Sequence, residues 1–140
     1  MAEGVEAHFP YALHTRGIDP YYSEDHFSLT QEGYEPKPAF SAYMAFINRR
    51  PEGSVQTPAA WHDKARRYYY PQWTRPDGKK AGMVWCVEGE TRRALRFKGG
   101  KPVFRNLYGR RIPVLELEDG VFNVPVSESP VYFEGAEITK

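Results

Sequence analysis

The chain has 140 residues and a near-balanced charge, with 19 basic and 18 acidic residues and a formal net charge of +1. This length fits one domain with an appendage, and the charge balance argues against nucleic acid or an anionic membrane as a partner. The single cysteine, Cys86, excludes an internal disulfide framework, and no apolar stretch predicts a signal peptide or a membrane span.

The first fifty residues predict a strand at 5–14, a turn-rich loop at 15–37 and a helix at 38–50. Pro10 interrupts the strand and predicts an edge position or a bulge, because proline cannot donate a ladder hydrogen bond. Pro38 is suited to the first helical turn, and Pro51 ends the helix. The helix carries one apolar stripe, made of Phe40, Tyr43, Met44 and Ile47. A lone β/α unit exposes its strand edge and this stripe, so we expect it to dock on something larger.

Residues 51–65 have the composition of a linker, and residues 66–140 predict a separate domain with a period of two. Seven short strands are predicted, at residues 67–73, 80–87, 91–97, 102–107, 111–117, 121–126 and 131–134. Turn signals recur between them at intervals of about ten residues, which is typical of an antiparallel sandwich. The predicted fold is therefore mainly β, an antiparallel β-sandwich of about seven strands preceded by a β/α remnant in residues 1–50.

The sequence contains few groupings that suggest chemistry. Its four histidines are not spaced as short-range ligand pairs, and it lacks a glycine-rich phosphate loop, so we expect neither a metal site nor a cofactor. The acids of the N-terminal loop, Asp19, Glu24 and Asp25, are the candidates for an enzyme that acts by itself.

Aromatic residues make up 15% of the chain and allow two interpretations. Trp85 lies in the most apolar strand and is predicted to be in the core, whereas Trp73 lies near a strand end and is predicted to be partly exposed. Trp73 either packs between domains or forms, with Tyr69 and Tyr108, an exposed platform for a polysaccharide.

The order of several short motifs resembles the end of a (β/α)8-barrel glycoside hydrolase of the large retaining clan. In the first part of the chain these motifs are Phe9-Pro10-Tyr11-Ala12-Leu13, Asp19-Pro20, Phe27-Ser28-Leu29, Pro36-Lys37-Pro38-Ala39 and Ala42-Tyr43. They resemble the eighth barrel strand, its loop and the start of the last helix, with Ser28 standing where glycine is common. Gly82-Met83-Val84-Trp85 and the segment from Ser129 to Gly135 resemble strands of the β-sandwich that follows such barrels.

This resemblance implies that the two catalytic glutamates, at the ends of barrel strands 4 and 7, would precede residue 1. No catalytic residue is therefore expected here. The resemblance places Tyr11, His14 and Arg16 at the substrate side of the last strand, as weak binding candidates alongside Trp73. A catalytic barrel, in the same parent chain or as a separate subunit, is the expected partner, and self-association through residues 5–50 is the alternative.

The first functional hypothesis is a non-catalytic accessory region of a glycoside hydrolase that supports or docks on a catalytic barrel. The first alternative is a carbohydrate-binding module that uses exposed Tyr and Trp side chains, and the second is a small enzyme that uses its loop acids. The sequence as it stands predicts a cytoplasmic protein, or a fragment of a secreted enzyme.

Overall fold

The computed structural model describes residues 12–15, 17, 19, 21, 28–58 and 62–139. Within these residues it contains one helix, α1 (Pro38–Arg49), and twelve strands. The strands are β1 (Ala12–His14), β2 (Ser28–Thr30), β3 (Val55–Gln56), β4 (Tyr68–Tyr69), β5 (Gln72–Thr74), β6 (Lys80–Cys86), β7 (Glu90–Lys98), β8 (Val103–Arg105), β9 (Leu115–Glu118), β10 (Val121–Ser127), β11 (Val131–Glu134) and β12 (Glu137–Thr139). The predicted mainly β fold is confirmed.

Two antiparallel sheets face each other. The larger has the strand order β3-β5-β6-β11-β8, with β4 also paired to β6, and the smaller has the order β12-β7-β10-β9. The strand predicted at 67–73 is divided into β4 and β5 by Pro71, which has no N–H for the ladder. The strands β2, β3 and β12 were not predicted, and β3 lies in the segment predicted as a linker, where it pairs with β5.

The core between the sheets is built around aromatic rings. Phe97 makes edge-to-face contacts with Phe104, Phe122 and Phe133, at centroid distances of 5.1–5.7 Å. Such contacts contribute beyond the buried area itself. The remaining core residues are mainly valines that point inward from β6, β10 and β11, together with the buried Cys86.

Gln72 joins the two sheets with a pair of hydrogen bonds. Its side-chain Oε1 accepts the backbone N–H of Ile138 at 2.6 Å, and its Nε2 donates to the Ile138 carbonyl at 3.4 Å. Gln72 is buried in β5 of the larger sheet, and Ile138 lies in β12 of the smaller one. The amide therefore satisfies backbone groups of a short edge strand and fixes that strand on the sandwich.

Helix α1 packs on the outer face of the larger sheet. The register places Trp73, Ala81 and Glu134 in one row on that face. The Arg49 carbonyl accepts a 2.8 Å hydrogen bond from Trp73 Nε1, and the Arg49 guanidinium forms an ion pair with Glu134.

The turn that follows β8 also approaches the helix closely. Gly109 has a φ of +79°, and a Cβ at this position would lie 3.3 Å from the Ala45 Cβ. Glycine is therefore required both for the turn and for the contact with α1.

The apolar stripe of α1 faces away from the sandwich. Ala45 contacts the Gly109 turn and Arg49, one helical turn later, contacts the sheet. At about 100° per residue, the stripe of Phe40, Tyr43, Met44 and Ile47 therefore falls on the other side of the helix. Phe40 and Ile47 are half-buried, and Met44 is 36% exposed. The contact of α1 with the sandwich is therefore made by a small residue and an arginine rather than by this stripe.

The N-terminal unit contains the parallel pair β1–β2, with Ala12 opposite Ser28 and His14 opposite Thr30. Of the strand predicted at 5–14, residues 5–11 lie outside the described residues, and β2 occupies part of the predicted loop. The helix predicted at 38–50 is confirmed to within one residue. Among the described residues, no helix has the length and hydropathy needed to cross a bilayer.

Candidate functional site

The carboxyl ends of β1 and β2 lie side by side, because the two strands are parallel and in register. A buried polar cluster lies within this pair of strands. The hydroxyls of Thr15 and Ser28 are hydrogen bonded, and Lys37 Nζ donates to Ser28 Oγ at 2.9 Å. Thr30 Oγ1 donates to the Leu13 carbonyl at 2.9 Å, which ties the two strands together. These bonds link the two strands to each other and to Lys37.

His14 lies at this edge, where the resemblance places a substrate-facing residue. Its ring stacks on Tyr34, with centroids 4.2 Å apart and planes inclined by 7°. Its buried Nδ1 has no hydrogen-bond partner among the described residues. The structure thus brings His14 into an aromatic pair with a residue that the sequence did not single out.

The other predicted site residues of this unit have no described contact that suggests a binding role. Tyr11, Arg16, Glu24 and Asp25 lie outside the described residues, so their positions relative to His14 stay predictions. Asp19 is exposed, and its carboxylate accepts the backbone N–H of Tyr21 at 2.9 Å, as in a local turn. No group of three or more potential metal-binding side chains occurs within the described ranges.

Trp73 is not exposed, and this part of the prediction is wrong. The side chain is 1% accessible, covered by α1 and hydrogen bonded to the Arg49 carbonyl. The Arg50 guanidinium lies 5.6 Å from the centre of the Trp73 ring, and burial lowers the pKa of Arg50. The alternative prediction for Trp73, packing between two parts of the chain, describes its contacts.

The predicted platform of Tyr69, Trp73 and Tyr108 does not form. Tyr69 stacks on Trp85 at 5.0 Å, Trp73 is buried, and Tyr108 is 48% exposed in the turn after β8. Trp85 is also half-buried on the outer face of the sheet rather than in the core, because its neighbours Val84 and Cys86 point inward. Strand alternation, rather than the apolar character of the segment, decides where Trp85 points.

Tyr34 is the residue that reasoning from the sequence missed. It lies in the turn between β2 and α1, with φ at +63°, and its side chain is 72% exposed. The neighbouring Gly33 signals a turn, but it does not show that Tyr34 adopts the left-handed conformation. The stacking on His14 depends on tertiary structure. At these strand ends the Tyr34 ring stacks on His14 and is otherwise largely exposed.

Comparisons with known proteins give a match in structure alone. No family model matches the sequence, and no curated protein matches it. The fold is similar to part of a solved structure described as a family 39 glycoside hydrolase from the gut symbiont Bacteroides cellulosilyticus, with a TM-score of 0.71 and 16% sequence identity. The similarity covers 91% of this chain and 25% of that one, so the chain spans about a quarter of that protein's length. At this identity the similarity shows a shared fold.

Proposed function

We propose that this chain is a non-catalytic accessory region of a glycoside hydrolase, in which the β-sandwich and the terminal β/α unit brace a catalytic (β/α)8 barrel. Two independent observations support the proposal. The order of sequence motifs resembles the end of such a barrel, and the fold is similar to a quarter of a family 39 glycoside hydrolase. The two observations come from different information, one from local residue order and the other from the course of the backbone.

The observation that carries the proposal is the orientation of α1. The sandwich holds one side of the helix through Trp73, Glu134 and the Gly109 turn, while the apolar stripe faces away. The adjacent β1–β2 pair is parallel, and parallel strands belong to larger sheets whose faces are covered by helices. Both features fit a unit that completes a β/α barrel on one side and joins the sandwich on the other.

The stripe can be tested by self-association of the purified chain. Without a barrel, we expect concentration-dependent dimerisation in sedimentation velocity, because the partly exposed apolar stripe then lacks a partner chain to cover it. Met44→Glu should abolish it, since Met44 is the exposed member of the stripe. Ser41→Glu, an exposed change of the same charge on the same helix, should not. A wild-type chain that remains a strict monomer up to millimolar concentration would contradict the proposal.

The expected partner can be tested directly. A barrel chain that carries the other seven β/α units, supplied in trans, should bind this chain and slow amide exchange in α1, and Met44→Glu should weaken both effects.

Catalysis by this chain itself is tested separately. The purified chain should not hydrolyse chromogenic glycosides. Hydrolysis that disappears in Glu24→Gln would instead favour the alternative in which the loop acids act.

A further inference from the structure

Tyr34 has an unusual backbone for an exposed aromatic residue. Its φ of +63° is in the left-handed region, which a bulky side chain rarely adopts. The adjacent Gly33, which could adopt it without cost, does not have a positive φ. The turn is closed by hydrogen bonds from Gln31 N to the Glu35 carbonyl at 2.8 Å and from Tyr34 N to the Gln31 carbonyl at 3.0 Å. The turn thus fixes the tyrosine, rather than the glycine, in the unfavourable conformation.

A second local cost occurs in the same contact. The His14 ring that supports Tyr34 has a buried Nδ1 without a hydrogen-bond partner among the described residues. Backbone strain and unsatisfied buried polar atoms are uncommon, and they concentrate where a site has a function. Here the strained backbone of Tyr34 and the unpaired Nδ1 of His14 occur in the same contact, in which the two rings stack face to face.

The position of the pair points to a ligand. His14 ends β1, and Tyr34 follows β2 in the turn at the same edge. In sheets of parallel strands, ligands bind at the carboxyl ends of the strands. The hydroxyls of Thr15 and Ser28 and the Lys37 ammonium form a hydrogen-bonded cluster within the same pair of strands.

We propose that the exposed ring face of Tyr34 is a stacking subsite for a neutral pyranose unit of a glycan chain. A flat aromatic ring with a polar tip suits the C–H face of a sugar and its surrounding hydroxyls. The same turn carries exposed Gln31, Glu32 and Glu35, which can hydrogen bond to hydroxyls. The two carboxylates outnumber the single Lys37 ammonium, so the local charge disfavours acidic sugars. The choice of a glycan as ligand rests on the proposed function.

The test uses the full chain with ¹³C-labelled tyrosine rings, titrated with xylohexaose, cellohexaose and trigalacturonic acid. The Tyr34 resonance is assigned by its loss in Tyr34→Phe. It should shift saturably with at least one neutral hexasaccharide and stay in place with the acidic trisaccharide.

Three variants examine the contact by saturation transfer from protein to sugar. Tyr34→Phe should keep the affinity, whereas Tyr34→Asn, which tolerates the left-handed backbone but lacks the ring, should weaken it by about tenfold or more. Tyr108→Ala, which removes an exposed tyrosine of the sandwich, should leave it unchanged.

The proposal is overturned if neither neutral hexasaccharide moves the Tyr34 resonance, if Tyr34→Asn binds as well as the wild type, or if only the acidic trisaccharide binds. Repeating the titration in Met44→Glu keeps this result separate from the docking proposal, because that variant alters the helix stripe and leaves Tyr34 in place.

Discussion

Glu134 is the acidic centre of the joint between α1 and the sandwich, and its replacement by glutamine tests how this joint is held. The carboxylate forms an ion pair with Arg49 of the helix, and it lies 3.4 Å from Arg105 Nε and 3.9 Å from Arg75 Nη1. Glu134→Gln keeps the size of the side chain and removes the charge. Three guanidinium groups then converge without the anion that offsets their repulsion.

The size of the effect follows from the distances and the burial. At about 4 Å and an effective dielectric constant of about 20, each pair of unit charges interacts by about 4 kcal/mol before desolvation is counted. The side chains of Glu134, Arg49 and Arg105 are 22%, 16% and 30% exposed, so solvent screens part of this energy. Removing one partner of a largely buried pair costs about 3–5 kcal/mol, and we expect about 2–3 kcal/mol here after screening.

The measurement is urea denaturation followed by circular dichroism, with Glu118→Gln as the matched control. Glu118 pairs with Arg96 at 2.7 Å, but the two side chains are 66% and 57% exposed, so its loss should cost less than about 1 kcal/mol. Arg49→Met combined with Glu134→Gln should recover part of the loss, because it removes one of the unpaired charges. If Glu134→Gln costs no more than Glu118→Gln, the ionic account of the joint is refuted.

Four further substitutions test the sandwich. Gln72→Leu should lower the free energy of unfolding by about 2–3 kcal/mol, because it leaves two backbone groups of Ile138 unpaired. Gln56→Leu should raise the free energy of unfolding by about 1 kcal/mol, because both buried polar atoms of that amide lack partners in the described structure. Equal urea midpoints for the two variants would contradict this. Gly82→Ala should cost about 1–3 kcal/mol, since its Cβ would lie 2.7 Å from a backbone carbonyl oxygen, and an unchanged thermal midpoint would count against it. Backbone hydrogen bonds, that from the Tyr68 N–H above all, lower the pKa of the Asp63 carboxyl below its ordinary value of 3.8. The stability that this shift contributes is present above pH 3.8 and is lost as the pH falls through the lower pKa of the folded state. Asp63→Asn should therefore weaken the dependence of the urea midpoint on pH in the acid range. An unchanged dependence would show that Asp63 contributes nothing.

Local sequence patterns were sufficient to predict the longer strands of the sandwich and the helix. The strands β6, β7, β10 and β11 have alternating side chains bounded by glycine-containing turns or by Ser-rich turns, and they lie within two residues of their predicted bounds. Helix α1 begins at Pro38 as predicted. Backbone N–H groups in the first helical turn have no partner within the helix, so a proline there costs no hydrogen bond.

Trp73 and Trp85 show where such patterns stop being sufficient. Both are large aromatic residues in strands. Trp73 was predicted to be partly exposed and is buried, whereas Trp85 was predicted to be in the core and is only half-buried. Trp73 is on the outer face of the sheet, but α1 covers it, and Trp85 is on the same face beyond the helix. A single sequence shows which residues share a face, but it does not show which parts of that face another element covers.

The sequence by itself determined the strand period, the positions of most turns and the ends of the helix, because these depend on residues that are close along the chain. The tertiary structure alone decided that α1 meets the sheet through Ala45 and Arg49, that Gln72 joins the two sheets, and that Tyr34 stacks on His14. Each of these contacts joins residues at least twenty positions apart, and such contacts are set by packing between elements rather than by local preference.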